Sequence, residues 1–168
     1  MKKLFVTVVL ALIAAPAIPA ADDKPIKDED FLIKATTQSG GQMKLADYAA
    51  KNASDAKVRE FAAGLSKDHD AMIKGLTDHA KRLKVAVVIG KDKETSERLD
   101  RLGRAKGVEV DLEFLQDVID THKAMISMFE AEIKDATDAN MRTFAKENLT
   151  GLKKHLDEAN DHYKRLKK

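Results

Sequence analysis

Apolar side chains recur at helical spacing in four long segments of this chain. The segments span 29–52, 55–84, 108–136 and 138–166. In the second segment Val58, Leu65 and Met72 follow one another at intervals of seven residues, which is typical of a helix that buries one face in a bundle. The pair Gly40–Gly41 should kink or locally open the first helix. The pattern therefore predicts an all-α protein, built as a four-helix bundle.

The two halves of the chain repeat one another at an offset of 83 residues. ASDA at 53–56 corresponds to ATDA at 136–139, and DHAKRL at 78–83 corresponds to DHYKRL at 161–166. Since no gap interrupts the match, it predicts two pseudo-repeated helical hairpins, with chance similarity between amphipathic helices as the alternative. A long crossover over 85–107 joins them, and its segment KETSERLDRLGRAK suits a short extra helix. This arrangement is characteristic of ferritin-like bundles.

Residues 1–21 are predicted to be a secretory signal peptide. Lys2 and Lys3 precede the apolar run LFVTVVLALIAA, and small residues follow where a signal peptidase would cut. The run is shorter than the roughly 20 apolar residues that a membrane-spanning helix needs. We therefore expect residues 22–168 to form one bundle domain in the periplasm or outside the cell, with no stable membrane anchor. A retained anchor at the N-terminus is the alternative.

Composition narrows the chemistry that the chain can perform. The 30 Lys and Arg residues nearly balance the 28 Asp and Glu residues, so we expect no nucleic-acid partner. The absence of cysteine excludes disulfides, thiolate metal sites and thiol nucleophiles. The sequence contains no glycine-rich phosphate loop, Gly-x-Ser-x-Gly or His-Glu-x-x-His motif, which leaves hydrolase and nucleotide-binding functions without support. Histidines and carboxylates are the remaining candidates.

Three histidines, His69, His122 and His155, are predicted to lie near the middle of three different helices. Imidazole is the commonest metal ligand, and the interior of a helical bundle is where such sites are built. The residues predicted to complete a metal site are Asp68, Asp120 and Gln42. The pattern indicates a site of imidazole and carboxylate for a transition-metal ion. The alternative is that these histidines are only hydrogen-bonded within or at the rim of the bundle.

An oxidase-type di-iron centre is disfavoured, because such bundles place a glutamate three residues before the ligand histidine. Here those positions hold Ser66, Ile119 and Leu152. The sequence therefore favours a non-enzymatic protein that binds a metal ion in envelope stress or metal handling. A structural or interaction module without a metal remains equally open. In that case the charged outer faces and the VAVVIG connection would contact an envelope protein or a second copy of the chain.

A distinctive set of positions along the chain consists of Phe61, Ala62, Asp68, His69, His122, Leu152 and His155. With these residues, and over about 31–166, the chain resembles the exported bacterial proteins of domain-of-unknown-function family 4142, which is placed with the ferritin-like bundles. The resemblance implies a ferritin-like fold and an envelope location, without an established activity. Many members carry a glutamate shortly after the glycines of the first helix, where this chain has Lys44. If that glutamate contributes to a site, the substitution removes its contribution here.

Overall fold

The computed structural model describes residues 28–168, which form five α-helices and no strand. The helices are α1 (Asp28–Asn52), α2 (Ala56–Leu83), α3 (Lys93–Arg104), α4 (Val108–Asp135) and α5 (Ala139–Leu166). Four long helices make the bundle, and α3 is the short helix of the crossover. The predicted all-α four-helix bundle is confirmed. The predicted signal peptide, residues 1–21, lies outside the described residues.

Two antiparallel hairpins build the bundle, with α1 packed along α2 and α4 packed along α5. Each hairpin turn is short, and each second helix begins at an aspartate that accepts hydrogen bonds from backbone N–H groups of its first turn. These N-cap residues are Asp55 for α2 and Asp138 for α5. Such caps satisfy N–H groups that have no partner inside the helix. Among the described helices, none is long and apolar enough to cross a membrane.

The internal repeat is visible as contacts at equivalent positions. Asp111 in α4 accepts hydrogen bonds from two backbone N–H groups of the α1–α2 turn. Asp28, which precedes it by 83 residues, accepts two from the α4–α5 turn. Two ion pairs are equivalent in the same way, Arg82–Asp138 and Arg165–Asp55. Each hairpin therefore stabilises the turn of the other, as expected of two related halves.

The glycine pair of α1 has a different role from the one predicted. The helix is continuous through Gly40 and Gly41, so the predicted local opening is not seen. A Cβ on Gly40 would lie 2.5 Å from the backbone nitrogen of Gly90, and one on Gly41 would lie 2.7 Å from Oγ1 of Thr95. Lys44 adds a hydrogen bond to the Gly90 carbonyl oxygen at 2.5 Å. The glycines therefore let the crossover lie directly on α1.

A layer of buried polar side chains divides the core into two hydrophobic clusters. One cluster surrounds Leu45 and Phe114 towards the α1–α2 turn, and the other surrounds Phe31 and Phe129 towards the α4–α5 turn. The buried polar residues between them are Ser39, Gln42, His69, His122 and His155. The three histidines thus occupy the middle of the bundle, as their spacing predicted.

Candidate metal centre

Three imidazole rings meet in the middle of the bundle, from α2, α4 and α5. His69 and His122 are fully buried, and His155 is 6% exposed. One potential ligand atom of each residue lies within 4.8 Å of the other two. The ring centroids are 5.3 to 5.9 Å apart. Among the described residues, this is the one group of three or more His, Cys, Asp or Glu side chains that converges in this way.

Hydrogen bonds on the outer side of the cluster orient two of the rings. Nδ1 of His122 lies 2.9 Å from the carbonyl oxygen of Val118, and Nε2 of His155 lies 2.9 Å from Oδ2 of Asp68. Because a carbonyl and a carboxylate only accept, each of these nitrogens carries the hydrogen. In the neutral rings Nε2 of His122 and Nδ1 of His155 keep their lone pairs. Metal-binding histidines are commonly oriented by outer partners of this kind.

The surroundings keep two of the imidazoles neutral. Burial, together with repulsion from positive charge on His155, lowers the pKa of His122 to about 3, although the bond to Val118 opposes the shift. Burial also lowers the pKa of His69 well below its usual range, with repulsion from the other two histidines adding to the effect. A neutral imidazole has the free lone pair that a metal ion needs. Ligand formation by these two rings therefore requires no loss of a proton at neutral pH.

The cluster has hydrogen-bonding capacity that the described residues do not satisfy. Nε2 of His69 lies 3.3 Å from Nε2 of His122, while Nδ1 of His69 and Nδ1 of His155 are buried and have no partner among the described residues. An unpaired buried polar group costs about 1–3 kcal/mol. Nitrogens around a tetrahedral ion at about 2.0–2.1 Å lie roughly 3.3 Å from each other. The donor set and the His69–His122 spacing thus fit a transition-metal ion.

The two predicted carboxylates are placed very differently. Asp68 hydrogen-bonds to His155 on the outer side of the cluster. Asp120 is exposed on α4 and accepts a hydrogen bond from Gln116 at 2.9 Å, so it does not join the histidines. It precedes His122 by two residues, which turns it about 200° around the helix, away from the bundle interior.

Gln42 is buried, and its side-chain hydrogen bond belongs to a neighbouring polar network. Its Oε1 is buried and has no hydrogen-bond partner among the described residues. Its Nε2 donates to Oδ2 of Asp117 at 2.8 Å, and Arg98 of α3 binds the same carboxylate through Nε and a terminal nitrogen. Arg98 is only 7% exposed, and it was not among the residues predicted from the sequence. Its one signal is its place in the amphipathic crossover segment. The network attaches α3 to the bundle next to the cluster.

The internal repeat does not reproduce the cluster. The positions equivalent to His122, His155 and His69 are Ser39, Met72 and Leu152. All three are buried, and the Ser39 hydroxyl lies 3.3 Å from the sulfur of Met72. One of two related arrangements therefore carries three imidazoles, while the other carries a hydroxyl, a thioether and an aliphatic side chain. Packing of the fold by itself does not require histidine at these positions.

The chain belongs to the family described as domain of unknown function DUF4142, whose model matches residues 14–161. This confirms the family that the sequence resembles. Comparison with curated proteins gives no significant match.

Solved structures of helical bundles are similar to this chain. CopM in its Cu(II)-bound form has a TM-score of 0.70 at 18% identity, covering 83% of this chain and 97% of its own. The Ag-bound form of CopM has a TM-score of 0.69 at 18% identity, covering 83% and 96%. A DUF305 protein of Streptomyces coelicolor, predicted to be secreted, has a TM-score of 0.72 at 11% identity, covering 83% and 92%. These similarities confirm the ferritin-like helical fold.

Proposed function

We propose that this member of the DUF4142 family binds a transition-metal ion between α2, α4 and α5, as an exported protein in envelope stress or metal handling. The ligands are His69, His122 and His155, and the observation that carries the proposal is that a ligand atom of each lies within 4.8 Å of the others in a buried site. Copper-bound and silver-bound forms of CopM, a protein of similar fold, support a metal role for such a bundle.

Export is part of the proposal and rests on the predicted signal peptide at residues 1–21. The similar DUF305 protein, which is predicted to be secreted, supports it.

The donor set narrows the class of ion. Three imidazole ligands suit Cu²⁺, Zn²⁺, Ni²⁺ and Fe²⁺, whereas Mg²⁺ and Ca²⁺ prefer oxygen ligands. The converging group contains no carboxylate that could bridge two metal ions, so a di-iron oxidoreductase has no support from its ligands. The imidazole nitrogens of the three histidines would hold the ion. The ion would be either a cargo that the protein carries or a structural element of the bundle.

A metal-free structural or interaction module is the second candidate. Val88 and Ile89 in the crossover are 57% and 38% exposed, which suits contact with an envelope protein or a second copy of the chain. In this case the bonds of His122 to Val118 and of His155 to Asp68 would serve packing alone.

The test is a calorimetric titration of chelator-stripped protein, residues 22–168, with Zn²⁺, Cu²⁺ and Fe²⁺. His69→Leu is the informative variant, because the repeat itself places Leu152 at the equivalent buried position. His79→Leu is the control, since the His79 ring contacts Phe144, outside the cluster. We expect one ion per chain with sub-micromolar affinity, lost in His69→Leu and kept in the control. Equal weak binding by all three proteins would remove the metal proposal and leave the structural role.

A further inference from the structure

A surface groove of about 390 Å³ lies between α2 and α5, directly outside the histidine cluster. His155 and Asp68 form part of its wall, together with Gly64 of α2 and His162 of α5. His69 and His122 are completely buried, so solvent has no direct access to them. His155 is therefore the one member of the cluster that both faces the interior and borders this groove.

The Asp68–His155 hydrogen bond connects the surface to the interior. The Asp68 side chain is 66% exposed, whereas that of His155 is 8% exposed. Nε2 of His155 faces this carboxylate, while Nδ1 is buried and has no partner among the described residues. One ring thus has one nitrogen at the groove and the other inside the bundle.

The charges along the groove favour a cation over an anion. The charged side chains that line it are Glu60, Asp68, Glu158, Lys57 and Lys154. These three carboxylates and two ammonium groups leave one net negative charge. Lys154 and Glu158 pair with each other at 3.7 Å, so the excess lies with the remaining carboxylates. Asp68 has His155 as its hydrogen-bond partner, and a carboxylate can also bind a transition-metal ion.

We propose that a transition-metal cation enters and leaves the cluster through this groove, with Asp68 as its first ligand and His155 as the side chain that admits it. The proposal rests on the proposed function, because it describes access to the same site. A cation at Asp68 competes for the carboxylate that holds Nε2 of His155. Loss of this bond frees the ring to turn, which opens the boundary between the groove and the two buried histidines.

The groove offers a position at which it can be narrowed without replacing Asp68 or any of the three histidines. Gly64 is exposed on α2, and a Cβ placed there meets no heavy atom within 4 Å. Gly64→Trp therefore adds a large side chain to the groove wall. The substitution does not lower the helical propensity of α2, because glycine has a lower helix propensity than tryptophan. Gly103 in α3 is also exposed and equally unobstructed. Gly103→Trp is the matched control.

The experiment measures Cu²⁺ binding by stopped-flow absorbance and Cu²⁺ release by capture with EDTA. Because one route serves both directions, Gly64→Trp should lower the association and dissociation rate constants together, each by about tenfold, and leave Kd unchanged. The Gly103→Trp control should keep both wild-type rates. Gly64→Phe, a smaller obstruction, should give an intermediate effect, and it replaces the tryptophan variant if that variant does not fold.

The outcomes separate the route from the function. If the wild-type protein binds none of Zn²⁺, Cu²⁺ and Fe²⁺ stoichiometrically, both proposals fall. If it binds and Gly64→Trp keeps wild-type rates, the route is overturned while the metal site stands. A fall in the association rate with a matching rise in Kd would also overturn the route, because it would show that the substitution disturbs the cluster itself.

Discussion

Replacing Glu132 with glutamine is expected to stabilise the protein at and above neutral pH. Glu132 lies in α4 and is 2% exposed, and neither of its carboxylate oxygens has a hydrogen-bond partner among the described residues. Burial, together with the nearby carboxylates of Asp28 and Asp135, raises its pKa from 4.5 to about 7. Arg142 opposes the shift without cancelling it. The ionised form is therefore unfavourable in the folded protein.

The magnitude follows from the difference in proton affinity between the two states. Between pH 4.5 and 7 the folded protein binds a proton at Glu132 that the unfolded chain releases, so the free energy of unfolding falls as pH rises. A difference of roughly 2.5 pKa units, at about 1.4 kcal/mol each, amounts to about 3 kcal/mol. This stabilisation is fully present below pH 4.5 and is lost as pH rises through 7. Glutamine has no such proton to lose.

Urea unfolding followed by circular dichroism, at pH values from 4.5 to 8, measures this effect. The free energy of unfolding of Glu132→Gln minus that of the wild type should rise from near zero at the acid end to about 3 kcal/mol at pH 8. Glu113→Gln is the control for the removal of one negative charge, because Glu113 is exposed on the same helix. A pH-independent difference for Glu132→Gln, or a loss of stability at pH 8, would refute the argument.

Two further predictions concern the histidine cluster and the crossover. Asp68→Ala should weaken metal binding, measured by calorimetry, by about 10- to 100-fold, since it removes the acceptor that orients His155. The control is Asp70→Ala, which breaks an exposed ion pair with Lys74 and should leave the metal affinity unchanged. Gly40→Ala should destabilise the protein by about 1–3 kcal/mol, because its Cβ would collide with the backbone of Gly90. Gly151→Ala, in open space within α5, should be neutral or stabilising by up to about 1 kcal/mol in the same urea assay, and equal effects of the two alanines would contradict the packing argument.

The sequence pattern was enough to predict the helices, the hairpins and the position of the three histidines along the bundle axis. A helix buries one face at a regular interval, so apolar spacing locates α2 and α5 to within a few residues. A constant rise of about 1.5 Å per residue then places a side chain along the bundle axis. His69, His122 and His155 could be assigned to one level for this reason, and the gapless repeat identified the two hairpins.

Residue spacing along the sequence does not predict which side chains at the same position along the bundle axis face each other. Asp68 and Asp120 were equivalent candidates in the sequence, yet one binds His155 and the other lies exposed on α4. The difference depends on how each helix is rotated about its axis, which packing against its neighbours decides. Gln42 likewise donates its side-chain hydrogen bond to Asp117 and not to a histidine. Arg98 of α3 binds the same carboxylate.

The contacts of the crossover are also a property of the assembled bundle. In α1 alone, Gly40 would be expected only to weaken the helix. In the structure, its missing side chain lets the backbone of Gly90 pack against α1. Glu132, as a charged residue, would be expected at the surface, and it is buried only because the neighbouring helices pack against it. Periodicity is a local property that one helix carries within itself, whereas burial and side-chain partners arise between segments distant in sequence, and they exist only once the hairpins have packed.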